Sequence, residues 1–438
     1  MKQLLSTLGL LIASIVSAHA SSHEQIYQHA TLASVHIHTY TLHGFYEDKK
    51  AEDAGEGSGF LIDKDRGLIM TNAHVAGHGP TDLYLKFFKQ DKLTKAERVF
   101  VDPYHDIAII KVPVSAIPAA AKQLTLDCDY SPSRGEEILA IGHPEGTPFQ
   151  VTRGVVSGEY DDDVDGLYWS TDLIIEPGSS GGAAISLNTG KVIGVPTFNL
   201  RESDISLLTK ASDACLIWQP FEKGLSPKRP ILGFQPMLIN NRLTRYVGWI
   251  DDPNSPLKSG DLIKSWDNGK TWDIDKATRF ADLLRGYDKP SVDLEIERDG
   301  QTLHVTLPLK PGIAQNEREW VYFSGMTFAD ATQEDNNHLA MYHPENVVRL
   351  QTKKINESEL VGVEINKFAI LHSVNGTRVT SIKQLYELLL AAQKQDGHAS
   401  LVFNSYDFTH ESWRYMFKHD MKIKDLESNV AKPQPHET

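Results

Sequence analysis

Between residues 26 and 220 the chain is a succession of short apolar runs separated by turn signals. No other feature limits the fold more. The runs ASVHIHTYTL, GSGFLI, GLIMTNAHV, DLYLKFF, DIAIIKV, EEILAIGHP, GVVSGEY and GKVIGVPTF are rich in Val, Ile, Phe and Tyr, bounded by Gly, Pro or Asp. Such spacing predicts an all-β barrel or sandwich. The polar stretch GFYEDKKAEDAGEG reads as a surface loop.

FEKGLSPKRP, with two prolines and three basic residues, reads as a linker, and beyond it the pattern becomes mixed α/β. A faint repeat appears there, first as SGDLIKSWDNGKTWDIDKATRFADLL and again as NKFAILHSVNGTRVTSIKQLYELL. Each copy has an apolar strand, an Asn-Gly turn suited to φ > 0, and an amphipathic helix starting near Asp275 or Ser381. A chain of 438 residues exceeds one hydrophobic core. The expected division is residues 1–20, a β domain over 21–225, two related modules over 226–312 and 313–425, and a disordered tail over 426–438.

Residues 1–20 read as an export signal: Lys2, then the apolar Leu4–Val16, then Ala18 and Ala20 as an A-x-A-like cleavage site. The apolar run is shorter than the roughly 20 residues a spanning helix needs, so the mature chain is expected outside the cytoplasm without a membrane span. A formal charge of −14 argues against nucleic-acid or anionic-membrane partners. Cys128 and Cys215 can form a disulfide in an oxidising compartment or persist as buried thiols, and the sequence leaves both open.

Three β-rich contexts supply the residue types of nucleophilic serine catalysis: a base, a carboxylate to orient it, and a hydroxyl in a glycine turn. His74 lies in TNAHVAG, Asp106 in DPYHDIAIIKV and Ser180 in EPGSSGGA. The order His, Asp, Ser is that of chymotrypsin-type barrels and not of subtilisin or α/β-hydrolase folds. The ordered blocks GSGFLI, TNAHV, DPYHDIAIIKV, IGHPEG, VTRGVVS, STDLIIEPGSSGG and GKVIGV resemble the successive signatures of the HtrA/Deg serine endoproteases over residues 57–195. The resemblance implies an all-β chymotrypsin-like double β-barrel protease domain followed by two mixed α/β PDZ-like domains. It implies no cofactor, and no nucleotide-binding glycine loop or HExxH zinc motif occurs.

In a chymotrypsin-like site the oxyanion is held by the nucleophile's own N–H and that of the residue two positions earlier. With Ser180 attacking, the donors are Gly178 and Ser180; with Ser179 attacking, one would be Pro177, which has no N–H. Ser180 is therefore the expected nucleophile, and Ser179 stands where family members usually carry Asn. Six residues before Ser180, Ile174 is expected to floor the S1 pocket and favour cleavage after small or medium aliphatic residues. His36 and His38 share one strand face but, among 18 scattered histidines, read as ordinary satisfied or exposed residues, so no metal is expected.

In PDZ domains a peptide C-terminus adds to a sheet edge and its carboxylate meets amides of a Gly-containing loop. Ile231, Leu232, Gly233 and Phe234 in RPILGFQP fit that loop in the first module. The second module lacks the Gly-Asp pair of the first, which points to assembly or docking instead. The resemblance implies an exported, ATP-independent endopeptidase of the periplasm or the medium. It would degrade misfolded proteins, respond to peptide C-termini, and assemble as a homotrimer or larger oligomer, with Tyr27, Tyr40 and Phe45 available for contacts. The alternatives are a chaperone or PDZ scaffold with a silent site, or a dedicated processing protease with one regulated substrate.

Overall fold

The structure is a computed structural model. It describes residues 23–430 apart from 46–47, 49–51, 163–165, 201–204, 240–241, 251, 274–278, 332–347, 354–368 and 408–411. The expected signal segment and residues 431–438 lie outside the described residues. By contacts the chain divides into two compact units. The first holds residues up to 39, 55–76 and 83–311; the second holds 40–54, 77–82 and 312 onward.

The first unit contains two closed six-stranded barrels. The first barrel comprises β1 (Ser34–Thr41), β2 (Asp53–Asp63), β3 (Leu68–Thr71), β4 (Thr81–Phe87), β5 (Thr94–Asp102) and β6 (Ile107–Lys111), in the order β1-β2-β3-β6-β5-β4. The second comprises β7 (Glu137–Gly142), β8 (Gln150–Asp162), β9 (Gly166–Thr171), β10 (Ala183–Ser186), β11 (Val192–Asn199) and β12 (Ser206–Lys210), in the order β10-β11-β12-β9-β8-β7. Together they are the expected chymotrypsin-like double barrel.

Side chains of β4 alternate inward and outward, as period-2 patterning requires of a strand with one wet face. The strands β3 and β10 are buried along their whole length, so their sequences are apolar or small without alternation. Val35, Ile37, Phe60, Ile69, Met70 and Ile109 fill the first barrel. Ile138, Val156, Trp169, Leu173, Ile175 and Leu208 fill the second. Cys128 and Cys215 are joined as a disulfide, which fastens the segment before β7 to the helix Ala211–Glu222. Closing a loop of sequence separation 87 restricts the unfolded chain by about 4–5 kcal/mol in the chain-entropy account.

The first unit ends in a five-stranded antiparallel sheet of β13 (Phe234–Ile239), β14 (Arg242–Ile250), β15 (Leu262–Trp266), β16 (Ser291–Arg298) and β17 (Gln301–Pro308), with β13 on one edge. A short helix, Phe280–Leu283, packs Phe280 into the cluster that also holds Trp266 and Trp272.

The second unit is built on an antiparallel sheet of β18 (Trp320–Phe323), β19 (Met326–Asp330), β20 (Val348–Lys353), β21 (Ile370–Val374), β22 (Thr377–Arg378), β23 (His398–Asp407), β24 (Ser412–Lys422) and β25 (Glu427–Ser428). Helix Ile382–Gln395 packs Leu385 and Leu389 into its core. Ser381 caps that helix by accepting from Gln384 N–H at 3.2 Å, so the second repeat's helix starts where the sequence places it. Both Asn-Gly turns carry the positive φ pair expected of them, Asn268-Gly269 and Asn375-Gly376.

Two expectations need correcting. The tail does not begin at 426: β25 pairs with β18, and Asn429 Oδ1 accepts from Trp320 N–H at 2.8 Å, so backbone pairing orders the segment despite its polar sequence. Nor is the stretch after β1 simply a surface loop. Phe45 is buried beneath the Arg318 guanidinium, His43 stacks on Tyr322 at 4.0 Å, and Thr352 hydrogen-bonds the Gly44 carbonyl. Phe45 is thereby spent inside the second unit and is unavailable for contacts between subunits. Among the described residues no helix is long and apolar enough to cross a membrane.

Candidate active site

The expected catalytic residues all sit at strand ends, where a barrel's packed interior gives way to loops. His74 lies on the one-turn helix Ala73–Ala76 after β3, Asp106 immediately precedes β6, and Ser180 precedes β10. The Asp106 carboxylate is used twice by His74: Oδ2 lies 2.7 Å from ring Nδ1, and Oδ1 accepts from the His74 backbone N–H at 2.9 Å. That double grip fixes the ring's position and assigns its proton to Nδ1. Asp106 itself has a positive φ of 51°, and buried Asn72 donates to its carbonyl at 2.8 Å. The Ser180 hydroxyl donates to the Thr197 carbonyl at 3.2 Å.

The glycine turn is held from several sides. Ser180 O accepts from Ser58 N–H at 2.8 Å, Pro177 O from Glu145 N–H at 2.8 Å, and Glu176 O from Ser179 N–H at 2.9 Å. Gly181 donates to Pro196 O at 3.0 Å. At φ 99° a side chain on Gly178 would strike the His143 carbonyl, and at φ 86° one on Gly181 would strike Thr71 and the Ser58 carbonyl. These two glycines are dictated by close backbone approach. Among the described residues the amides of Gly178 and Ser180 donate to no protein acceptor, whereas their neighbours' amides are engaged.

A neutral network backs this turn. The Ser58 hydroxyl donates to Gly178 O at 2.7 Å and lies 2.8 Å from His143 Nδ1. One hydroxyl carries one proton, so His143 Nδ1 must be the donor in the second bond. Burial pushes the His143 imidazole down to about 2, with His36, Lys86 and His38 adding in the same direction. Its ring stacks on His36 with centroids 4.3 Å apart. None of these partners announces itself in the motif; the signal was the His-Pro after β7, whose role needed the fold to read.

On the other side, the turn that delivers Asp106 is anchored by buried charge. Asp102 Oδ1 meets Arg285 Nη2 at 2.8 Å, and Asp282 meets Arg229 at 2.5 Å, Arg285 at 2.9 Å and His105 at 3.1 Å. Burial alone would push the Asp282 carboxyl up, but Arg229, His105 and Arg285 outweigh it and hold it well below its ordinary range.

Two expected site residues behave otherwise. Ile174 is 68% exposed, while Leu173 and Ile175 on either side are buried in the second barrel's cluster. With Leu173 and Ile175 turned to the core, Ile174 between them faces solvent and does not floor a pocket. The Ile231 amide donates to Lys310 O at 2.8 Å, closing an isolated bridge, and is spent there. Gly233 turns the chain at φ 69°, and Phe234 is buried at the start of edge strand β13. The amides of Leu232 and Gly233 have no backbone acceptor among the described residues.

The trypsin-like peptidase domain matches residues 57–195. Over 380 residues the chain is 33% identical to a probable periplasmic serine endoprotease DegP-like of Pseudomonas putida, spanning 78% of this chain and 75% of that one. The chain belongs to the HtrA/Deg family of serine endopeptidases. A relative of the same description from Bartonella henselae is 27% identical over 370 residues, spanning 79% of this chain and 71% of its own. Among solved structures, the HtrA-type protease AlgW with a tripeptide aligns at a TM-score of 0.53 and 21% identity, over 66% of this chain and 97% of that one. That likeness is one of fold.

Proposed function

We propose that the protein hydrolyses peptide bonds through His74, Asp106 and Ser180. Ser180 turns its hydroxyl from the Thr197 carbonyl to His74 Nε2 and attacks the scissile carbonyl as His74 takes the proton. Asp106 keeps the imidazole in the Nδ1–H tautomer and stabilises its charged form. The oxyanion of the tetrahedral intermediate accepts from the Gly178 and Ser180 amides. His74 then protonates the leaving amine, and water releases the acyl group by the same route.

The observation that carries this reading is the pairing of a twice-bonded His74–Asp106 unit with two unengaged amides at Gly178 and Ser180. A fluorophosphonate probe mapped by mass spectrometry tests it: label on Ser180 is expected, and label on Ser179, or none in the presence of unfolded protein, overturns it. Casein hydrolysis that survives Ser180→Ala would do the same.

The relatives' names place them in the periplasm, and the signal-like residues 1–20 support that compartment here. Substrates would be misfolded or damaged envelope proteins. The sheet containing β13 would serve as the first PDZ-like domain, receiving a peptide C-terminus as an added strand on the β13 edge, where Leu238 and Ile239 are half exposed. Leu232 and Gly233 would supply the carboxylate-binding amides. Assembly would be as a homotrimer or larger oligomer, a reading the resemblance to HtrA/Deg proteins supports.

A further inference from the structure

His36 and His38 occupy alternate positions on β1 and so project to one side of the strand. Neighbouring strand β2 brings Glu56 against them: its two carboxylate oxygens lie 3.0 Å from His36 Nε2 and 3.4 Å from His38 Nδ1. The donor atoms of all three residues fall within 4.8 Å of one another. We propose that His36, His38 and Glu56 form a binding site for a divalent transition-metal ion of the Zn2+ class.

The donor set selects the ion. Two imidazoles and one carboxylate are the ligands of Zn2+ and its borderline neighbours, whereas Ca2+ and Mg2+ require oxygen shells. A tetrahedral ion with bonds of about 2.0–2.2 Å needs donors on the order of 3.3 Å apart, and both histidine–carboxylate spacings already meet that. His36 is 2% exposed and fixed by its stack on His143, so one ligand is preorganised. The Glu56 side chain is 40% exposed, which leaves an entry path and room for a water as fourth ligand. Among the described residues His36 Nδ1 and His38 Nε2 are buried without hydrogen-bond partners. Each ring can therefore move its proton to that nitrogen and, exchanging its contact with the Glu56 carboxylate for the ion, present the other nitrogen as a ligand while Glu56 ligates beside it.

The site borders the oxyanion turn on two paths. His36 stacks on His143, which bonds Ser58, which bonds Gly178 O. Glu56 lies against Gly146, in the short 3-10 turn whose Glu145 N–H holds Pro177 O. An ion that fixes His36 and Glu56 acts on both carbonyls flanking the Gly178 amide. It lies outside the residues assigned to peptide hydrolysis, so its test does not depend on them.

The full chain carrying Ser180→Ala, to prevent self-digestion, is stripped with chelator and titrated with Zn2+ by calorimetry and with Co2+ by visible absorption. One saturable site is expected, with the visible bands of four-coordinate Co2+. His38→Ala and Glu56→Gln should each weaken it about tenfold or more, while His304→Ala, at an exposed histidine of β17, leaves it unchanged. X-ray absorption of the Zn2+ form should count two imidazole ligands. Absence of saturable binding, binding untouched by both His38→Ala and Glu56→Gln, or fewer than two imidazoles at the ion overturns the proposal. The spectroscopic count uses no altered ligand and decides the matter if either variant fails to fold.

Discussion

The two walls of the candidate site are built from different chemistry. The wall that delivers Asp106 is pinned by Asp102, Arg229, Asp282 and Arg285, charges paired out of water, with His105 set against Asp282. The wall that shapes the Gly178–Ser180 turn is held by neutral bonds: one hydroxyl, one uncharged imidazole and several amide–carbonyl pairs. Breaking a buried charge pair strands the partner at a cost of several kcal/mol, while a neutral bond contributes about 1 kcal/mol net. In the proposed mechanism the base is therefore held by the costlier contacts and the oxyanion turn by the weaker ones.

This contrast can be broken at graded positions. Ser180→Ala removes the proposed nucleophile and should lower kcat on casein by about 10⁶-fold, with the melting temperature unchanged. Asp282→Ala strands Arg229 and leaves Arg285 with Asp102 as its remaining carboxylate, and a loss of about 3–5 kcal/mol should appear in denaturant unfolding. Because Asp282 is held well below its ordinary value, its contribution is present at neutral pH and fades only as acid protonates it in the folded state. Ser58→Ala leaves Gly178 O without its donor and the His143 Nδ1–H without its acceptor, and kcat should fall about 10- to 100-fold with KM little changed and a stability loss of about 1–3 kcal/mol. Ser179→Asn should stay within about an order of magnitude of wild type, since only its peptide groups enter the scheme. If Asp282→Ala spares stability while Ser58→Ala unfolds the chain, the assignment of costlier and weaker contacts to the two walls is reversed.

The order of His74, Asp106 and Ser180 and the missing N–H of Pro177 were legible in the sequence, because both depend on residue type at short range. Ile174 was misjudged because counting six residues back from Ser180 ignores which side of an extended segment each residue faces. Glu56 could not be paired with His36 and His38 from sequence, because strand register and not proximity along the chain brings them together. Asp282 and Arg285 were invisible for the same reason: they meet Asp102 and His105 from far along the chain, Arg285 at a sequence separation of 183 from Asp102. Both repeat turns and the Ser381 cap were readable, being local rules of backbone conformation.

The segment that follows β1 has a consequence for how the chain acquires its fold. His43 bonds Glu427 across a sequence separation of 384, and Gly44 and Phe45 are covered by residues beyond 312. A contact of that span closes late, since loop-closure entropy must be overcome before it forms. An emerging chain thus carries Phe45 uncovered by Arg318, and His43 without Glu427, until residues beyond 312 arrive. Packing of the segment after β1 therefore waits on synthesis of nearly the whole polypeptide.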